Sequence, residues 1–174
     1  MARSAHIVAE LPSEVEDVFE EFRTCEMSTL ARDGTPITWP TLPFWYSDKK
    51  RFTIATSIAL AQKALNVRRN PRVSLLFSNP MASGIENPPA VLVQGDAEAP
   101  DEIETSVAGF EEELRKASRR QPASLASGSN PISRYLMDWY FMRLMIYVTP
   151  RRILWWPGAD FWRKPFELRM DHVG

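Results

Sequence analysis

The sequence predicts a mainly β fold, a small β-barrel with helices at its margins. Six or seven short segments rich in β-forming residues are joined mostly by turns, and three or four segments have helical periodicity. The 174 residues, of which 44% are apolar and 25% charged, are enough for one soluble domain with its own core. There is no internal repeat and no second domain, so we treat residues 1–174 as a single domain.

The first predicted element is a helix that runs from Ser13 to about Arg23. Pro12 precedes it, Ser13 is the expected N-cap, and Glu16 would complete a capping box. Its apolar side chains recur at the spacing of one helix face. This apolar stripe consists of Val15, Val18, Phe19 and Phe22.

Seven segments have the composition and the bounding turns of β-strands. Asp33-Gly34, between the first two, is a strong hairpin signal. The second segment contains three prolines that cannot donate to a ladder, so we expect an edge strand that is interrupted or bulged. Thr149-Pro150 is expected to separate the last two strands. The predicted strands cover residues 27–32, 36–46, 51–57, 72–78, 90–98, 143–148 and 151–156.

Further helices are predicted between the strands. Residues 58–70 follow the third strand directly, and Asn70-Pro71 ends that helix. Residues 101–117 are acidic and carry apolar side chains on one helical face, and residues 131–141 form a short helix after a polar link. We treat residues 101–141 as a helical insertion in the barrel.

Composition excludes several classes of function. The net charge of −1 gives no reason to expect a nucleic-acid partner, and no apolar stretch is long enough to cross a membrane. Cys25 is the single cysteine, and His6 and His172 lie near the ends of the chain. We therefore expect neither a metal site nor a Ser–His or Cys–His pair, and catalytic residues stay unassigned. Because we find no export signal, we expect a cytoplasmic protein.

The strongest candidate site lies where the third strand runs into the second helix. Thr56 and Ser57 end the strand with two hydroxyl groups, and the helix that follows offers free N–H groups and the positive end of its dipole. Gln62 and Lys63 follow in its early turns. Hydroxyls, N–H groups and a lysine together indicate a phosphate site. In the alternative interpretation, one hydroxyl only caps the helix and Lys63 is solvated.

Six tryptophans are many for a chain of this length. Large flat side chains can line a planar heteroaromatic ligand or a dimer interface, although packing in the core is the simpler explanation for any one of them. Trp155 and Trp156 must point to opposite faces of their strand. One of the two therefore needs a cover, such as a ligand or a second subunit.

These motifs together resemble the pyridoxamine 5′-phosphate oxidase-like, flavin-binding split β-barrel family. The resemblance is carried by the hairpin Asp33-Gly34-x-Pro36, by the string Lys-x-x-Asn-x-Arg-x-Asn-Pro-Arg-Val that begins at Lys63, and by a late Trp-x-Gly at Trp156. It extends from about Glu26 to at least Trp156, with little similarity over residues 101–141. It implies a homodimeric, Greek-key split barrel with two cofactor sites at the subunit interface.

The resemblance also implies roles for individual residues. Thr56 and Ser57 match a strand-end pair that contacts the flavin, and Lys63 matches the phosphate-binding lysine. Gln62 stands where the oxidase has an arginine, and Trp156 matches a residue that reaches the cofactor from the partner subunit. The contacts to the flavin ring are implied for Trp39, Pro40, Thr41, Leu42 and Pro43.

The resemblance implies an FMN-dependent oxidoreductase, and we expect a small, apolar or aromatic substrate. Trp39 and Phe44 replace basic residues of the oxidase, and Pro43 is also apolar. The segment that holds the substrate phosphate in the oxidase is replaced by Phe-Trp-Arg-Lys-Pro at residues 161–165. The cofactor would bring its own redox chemistry, so the protein would mainly bind and orient it.

Two alternatives stay open. Some members of the family use the deazaflavin coenzyme F-420, whose polyglutamate tail would suit a basic surface formed by Arg68, Arg69 and Arg72. A carrier that holds the cofactor without turnover would also fit. Haem is disfavoured because it needs an axial ligand, and both histidines lie near the chain ends.

Overall fold

The computed structural model describes residues 10–105 and 142–170. The predicted helix over residues 131–141, the polar link before it and most of the helix over residues 101–117 lie outside the described residues. None of the described helices is long and apolar enough to cross a membrane.

Two α-helices lie in the described part of the chain. Helix α1 spans Ser13–Glu21 and helix α2 spans Gln62–Arg69. The predicted capping box of α1 is wrong, because Ser13 is already helical and no side chain caps the helix. The carbonyl of Pro12 instead accepts the N–H groups of Val15 and Glu16, each at 3.0 Å, so the backbone alone closes the first turn.

Nine strands in the described residues form one antiparallel sheet, two more than the upper limit of the prediction. They pair in the order β2-β1-β5-β6-β8-β4-β3, and β7 and β9 also pair with β8. The strands are β1 Cys25–Leu30, β2 Pro36–Thr41, β3 Pro43–Tyr46, β4 Arg51–Ser57, β5 Arg72–Phe77, β6 Ala90–Glu98, β7 Ile103–Glu104, β8 Arg143–Trp156 and β9 Phe166–Arg169.

The two end strands of this order, β2 and β3, are consecutive in sequence. Only Leu42 separates the last residue of β2, Thr41, from the first residue of β3, Pro43. Two Cα–Cα steps span at most about 7 Å, so the opposite edges of the sheet must meet at this point. The sheet therefore curls into a half-barrel. The predicted interrupted edge strand is confirmed, with its two halves on opposite edges.

The predicted break at Thr149-Pro150 is wrong, because β8 is a single strand of 14 residues. Pro150 lacks an N–H group, but it lies opposite Gly95 at a point where the register of β6 against β8 shifts. A Cβ atom on Gly95 would lie 2.4 Å from the carbonyl oxygen of Thr149. A glycine and a bulge thus admit the proline and let the strand continue.

Two short strands, β7 and β9, differ from the predicted secondary structure. Ile103 and Glu104, placed at the start of an acidic helix by their sequence, form β7 against Leu144 and Arg143 of β8. The strand β9 was not predicted, because its sequence Phe-Glu-Leu-Arg is short and half charged. Pairing with a long neighbour stabilises both strands, which is a tertiary effect that local sequence does not reveal.

The core lies between α1 and the inner face of the curled sheet. The predicted apolar stripe of α1 is confirmed, since all four of its side chains are buried. Phe19 lies at the centre of an aromatic cluster, with ring centroids 4.7 Å from Phe52 and 5.3 Å from Trp45. This packing holds β3 and β4 in place, and β4 leads into the candidate site.

Candidate functional site

Strand β4 ends in two buried hydroxyl side chains. The hydroxyl of Thr56 donates to the carbonyl of Leu60 at 3.1 Å, and the oxygen of Ser57 accepts from the N–H of Ala59 at 3.3 Å. These bonds shape a 3-10 turn over Ile58–Leu60. Ser57 therefore caps the turn, as the simpler interpretation expects, but its own O–H is still available as a donor.

The predicted helix over residues 58–70 begins later than expected, because the 3-10 turn precedes it. Helix α2 starts at Gln62, after an N-cap at Ala61 that offers no side-chain hydrogen bond. The first N–H groups of a helix lack internal partners. No side chain thus caps the start of α2, and the positive end of its dipole lies close to the end of β4, which suits an anion.

Lys63 lies in the first turn of α2 and is buried, with 8% of its surface exposed. Desolvation lowers the pKa of its ammonium group. Within residues 10–105 and 142–170, no carboxylate forms an ion pair with this group. Its Nζ atom lies over the indole of Trp39, 5.5 Å from the ring centroid. A buried cation that lies over an aromatic face and has no carboxylate partner among the described residues is well placed to receive an anionic ligand.

The predicted ring-contacting segment runs along the meeting edges of the sheet. Trp39 is 40% exposed and lies beside Lys63, so the structure brings these two predicted residues together. Thr41 is buried, and its hydroxyl lies 3.3 Å from the sulfur of Cys25. Pro40 is exposed and Leu42 is half-buried, whereas Pro43 is buried and pairs with Ile54 of β4. Trp39, Pro40 and Leu42 are therefore the accessible members of the segment.

Asn66 is a site residue to which the sequence analysis gave no role. It is completely buried, and its amide nitrogen donates to the hydroxyl of Thr29 on β1 at 2.9 Å. Its oxygen accepts from Gln62 at 2.8 Å and from Arg69. Asn66 therefore fixes α2 on β1, one turn after Lys63. The spacing of three residues within the string was the available signal, because it places both side chains on one helix face.

The basic residues suggested for a polyglutamate tail have partners within the chain. Arg68 donates to the carbonyls of Ala99 and Pro100 at 2.8 and 2.6 Å, and it forms an ion pair with Asp101 at 2.8 Å. Arg69 bonds Asn66, and Arg72 lies 3.6 Å from Asp96. Arg68 therefore binds the helix to the segment that follows β6, Arg69 bonds within the helix, and Arg72 pairs β5 with β6.

The structure does not bring Trp156 to Lys63. Ser57 pairs with Arg143 at one end of β8, and Trp156 is the residue at the other end. A strand of 14 residues is roughly 40 Å long at about 3.3 Å per residue. Trp155 is buried and Trp156 is half-buried, which confirms that they point to opposite faces.

Two cavities of about 380 and 370 Å³ are formed by the described residues, and neither has Lys63 or Trp39 in its wall. Neither of these cavities therefore contains the Lys63 site, which lies beside the exposed ring of Trp39.

Comparison with known proteins agrees with this architecture. The family model described as pyridoxamine 5′-phosphate oxidase matches residues 11–154. No significant match is found among curated proteins.

Solved structures with the same fold include General Stress Protein 26 from Bacillus anthracis, which is 18% identical with a TM-score of 0.56 and covers 91% of this chain and 97% of that one. An F420 reductase is 20% identical with a TM-score of 0.57, covering 82% and 98%. A heme binding protein from Mycobacterium smegmatis is 18% identical with a TM-score of 0.53, covering 92% and 59%. At these identities the likeness shows the fold alone.

Proposed function

This chain belongs to the pyridoxamine 5′-phosphate oxidase family, and from that premise we propose that it binds FMN at Lys63 and acts as a flavin-dependent oxidoreductase. The observation that carries the proposal is the buried ammonium of Lys63, which has no carboxylate partner among the described residues and lies beside an uncapped helix start. A phosphate group would compensate this charge and would lie at the positive end of the α2 dipole.

Different residues around Lys63 would bind different parts of the cofactor. Lys63 and the first N–H groups of α2 would hold the phosphate, and the O–H of Ser57 is a further donor. Trp39 and Leu42 would flank the rings, since both are accessible on the edge of the sheet. The flavin, when bound, would supply the hydride or electron transfer. Gln62 is engaged with Asn66, so it contributes less to the phosphate than its position predicts.

We propose that the cofactor lies between two copies of the chain. Trp156 is too far from Lys63 to reach the same cofactor within one chain, and the exposed ring of Trp39 beside Lys63 is accessible to a second surface. In a symmetric dimer, each subunit would offer Lys63 to one cofactor and Trp156 to the other. The substrate would be a small apolar or aromatic molecule. Of the three residues that suggested this, Trp39 is exposed, whereas Pro43 and Phe44 are buried.

FMN is favoured over the deazaflavin coenzyme F-420 by the contacts that Arg68 and Arg69 of α2 and Arg72 of β5 make within the chain. Arg68 and Arg69 are bound within the chain, and Arg72 lies near Asp96. A polyglutamate tail would have to compete for them. A carrier without turnover would use the same site, and assays of quinone and nitro-compound reduction by the loaded protein distinguish it from an oxidoreductase.

The experiment that tests this proposal compares FMN with riboflavin, which lacks the phosphate. A charge-assisted hydrogen bond contributes about 1.5–3 kcal/mol, so we expect FMN to bind about 10–100 times more tightly than riboflavin. Lys63→Ala should reduce this preference to the part that the helix start and the Ser57 hydroxyl supply, and it should leave riboflavin binding unchanged. The matched control is Leu65→Ala, at an exposed position of the same helix.

Three outcomes would contradict parts of the proposal. Equal affinity of the wild-type protein for FMN and riboflavin would contradict the proposed phosphate site. Binding of deazaflavin but not of FMN would show that the cofactor is the deazaflavin. A Soret band in the purified protein, with no flavin absorbance, would show that the cofactor is a haem and not a flavin.

A further inference from the structure

The cavity of about 380 Å³ lies between the loop that joins β5 to β6 and the turn that follows β8. Its volume falls in the range of about 300–1,000 Å³ that is typical of small-molecule sites. Among the described residues, no charged side chain lines it. Its apolar wall includes Pro80, Met81, Ile85, Pro88, Pro89 and Ala159.

Hydrogen bonds within the β5–β6 loop hold the wall of this cavity in shape. In the β5–β6 loop, the N–H of Met81 bonds to the side-chain oxygen of Asn79 at 3.0 Å, and the N–H of Ile85 bonds to the Ser83 hydroxyl at 3.3 Å. The loop also touches the turn after β8, since a Cβ atom on Gly158 would lie 3.1 Å from the Asn87 amide. Binding of a ligand would therefore cost little conformational entropy, because the loop is already ordered.

The cavity adjoins Trp156. Ala90, which is buried in the cavity wall, lies directly opposite Trp156 in the pairing of β6 with β8. Residues directly opposite each other share one face of a sheet. The Trp156 ring lies 5.4 Å from the ring of Phe161, so aromatic surface continues beside the cavity.

Two of the described residues that line the cavity have polar side chains. Ser78 donates its hydroxyl to Glu26 at 3.3 Å and keeps its oxygen as an acceptor, and Asn87 offers an amide. A phosphate or carboxylate placed here would meet no cation among the described residues. Desolvating such an anion without a partner is costly, whereas an uncharged ring system with one or two polar atoms meets no such cost.

We propose that this cavity binds an uncharged, largely apolar, ring-sized small molecule, which is the substrate of the oxidoreductase. Asn87 and Ser78 provide its polar contacts. The role as substrate rests on the proposed function, because it requires Trp156 and the cavity beside it to meet a cofactor bound by the partner subunit. The binding of the ligand does not require the cofactor.

The test measures the binding of menadione, an uncharged naphthoquinone, by equilibrium dialysis against the flavin-free protein. Asn87→Asp places a carboxylate in the wall with little change in shape, and Asp is among the residues that tolerate the positive φ of 51° at this position. Met81→Glu does the same at a side chain that is 74% exposed, where folding should not be affected. We expect each variant to bind menadione at least tenfold more weakly.

The matched control is Ile103→Glu, an apolar-to-acid change at an exposed position on β7. It should leave menadione binding unchanged. A sulfonated naphthoquinone should fail to displace menadione, because its charge has no partner in the cavity. Displacement is the proper readout, since the cavity of about 370 Å³ is lined by Arg72 and Arg151 and can hold the sulfonate itself.

The results separate this inference from the proposed function. Absence of menadione binding, equal binding in all variants, or displacement by the sulfonate would each overturn the cavity as the ligand site. FMN binding is measured separately. If the wild-type protein does not bind FMN, the proposed function is contradicted, but the conclusion that the cavity binds menadione is not affected. Both cavity variants should retain the affinity of the wild-type protein for FMN within about twofold, and a larger loss would show that the substitutions disturb more than the cavity.

Discussion

The ammonium group of Lys63 lies 5.5 Å from the centroid of the Trp39 indole ring. This contact joins the first turn of α2 to the edge strand β2, two elements that are not neighbours in the sequence. A cation over an aromatic ring contributes about 0.5–1 kcal/mol when exposed and about 2 kcal/mol when desolvated. The pair holds the lysine at the edge of the sheet, where a ligand can reach it.

A double-mutant cycle should detect this interaction as a coupling between Trp39 and Lys63. We expect Trp39→Ala to lower the free energy of unfolding in the wild-type background by about 0.5–1 kcal/mol more than in a Lys63→Met background. Urea unfolding measures both differences. Trp162→Ala is the control, because Trp162 is 99% exposed and should couple to nothing on α2. A coupling energy near zero would mean that the contact does not stabilise the protein.

The affinity for FMN should fall at alkaline pH. Burial lowers the pKa of Lys63 below the value of about 10.4 for an exposed lysine, so the ammonium loses its proton earlier than a surface lysine does. The phosphate pairs only with the charged form. The FMN-to-riboflavin affinity ratio should therefore decline as pH rises through the lowered pKa. Riboflavin is the control because it shares the ionisation of the flavin ring.

The same shift has a consequence for stability in the absence of ligand. Between the lowered pKa and the ordinary one, the unfolded chain binds a proton at Lys63 that the folded chain has lost, so stability from this residue rises with pH. The contribution is fully present above the unfolded pKa and is lost as pH falls through the folded pKa. Lys63→Met should remove this dependence, and an unchanged pH profile in that variant would contradict the assignment.

Asn66 should be more important for stability than its neighbours on α2. In Asn66→Ala the buried hydroxyl of Thr29 loses its donor, and Gln62 and Arg69 lose their acceptor. Leaving buried polar groups unpaired costs about 1–3 kcal/mol. Gln62→Ala removes a single bond at an exposed residue and should cost less. Urea unfolding should rank the two variants in this order, and the reverse order would show that Asn66 does not fix the helix.

Local sequence predicts those parts of the fold in which short-range signals decide the structure. The stripe on α1, the hairpin at Asp33-Gly34 and the strand β6 follow from periodicity and turn chemistry. The continuity of β8 does not, because Pro150 is admitted only by Gly95 on another strand. The late start of α2 depends on the bond from Thr56 to Leu60.

The candidate site shows the same limit. The family string identified Lys63, and the edge segment identified Trp39, but nothing local predicts that they touch. They meet because the closing of the sheet at Leu42 sets the position of β2 and because Asn66 fixes α2 on β1. Asn66 is part of the string, but its role could not be predicted from the sequence because its partner Thr29 lies on β1, far away along the chain.

The proposed dimer makes a prediction about mixed subunits. Lys63→Ala removes the phosphate contact, and Trp156→Ala should weaken FMN binding about tenfold through lost contact with the rings. If each cofactor takes Lys63 from one subunit and Trp156 from the other, a mixed dimer of the two variants contains one intact site and one site that lacks both residues. Random exchange at equal concentrations should therefore restore about a quarter of the sites to wild-type affinity.

The control is a double variant with both substitutions, exchanged with the wild-type chain. Each site of that mixed dimer lacks one residue, so exchange should reduce the number of wild-type sites rather than restore any. If both residues instead served one cofactor from the same chain, the outcomes would be reversed: the two single variants would regain nothing, and each wild-type chain would keep its site in the mixed dimer. FMN titration after exchange in mild denaturant measures which arrangement the protein uses.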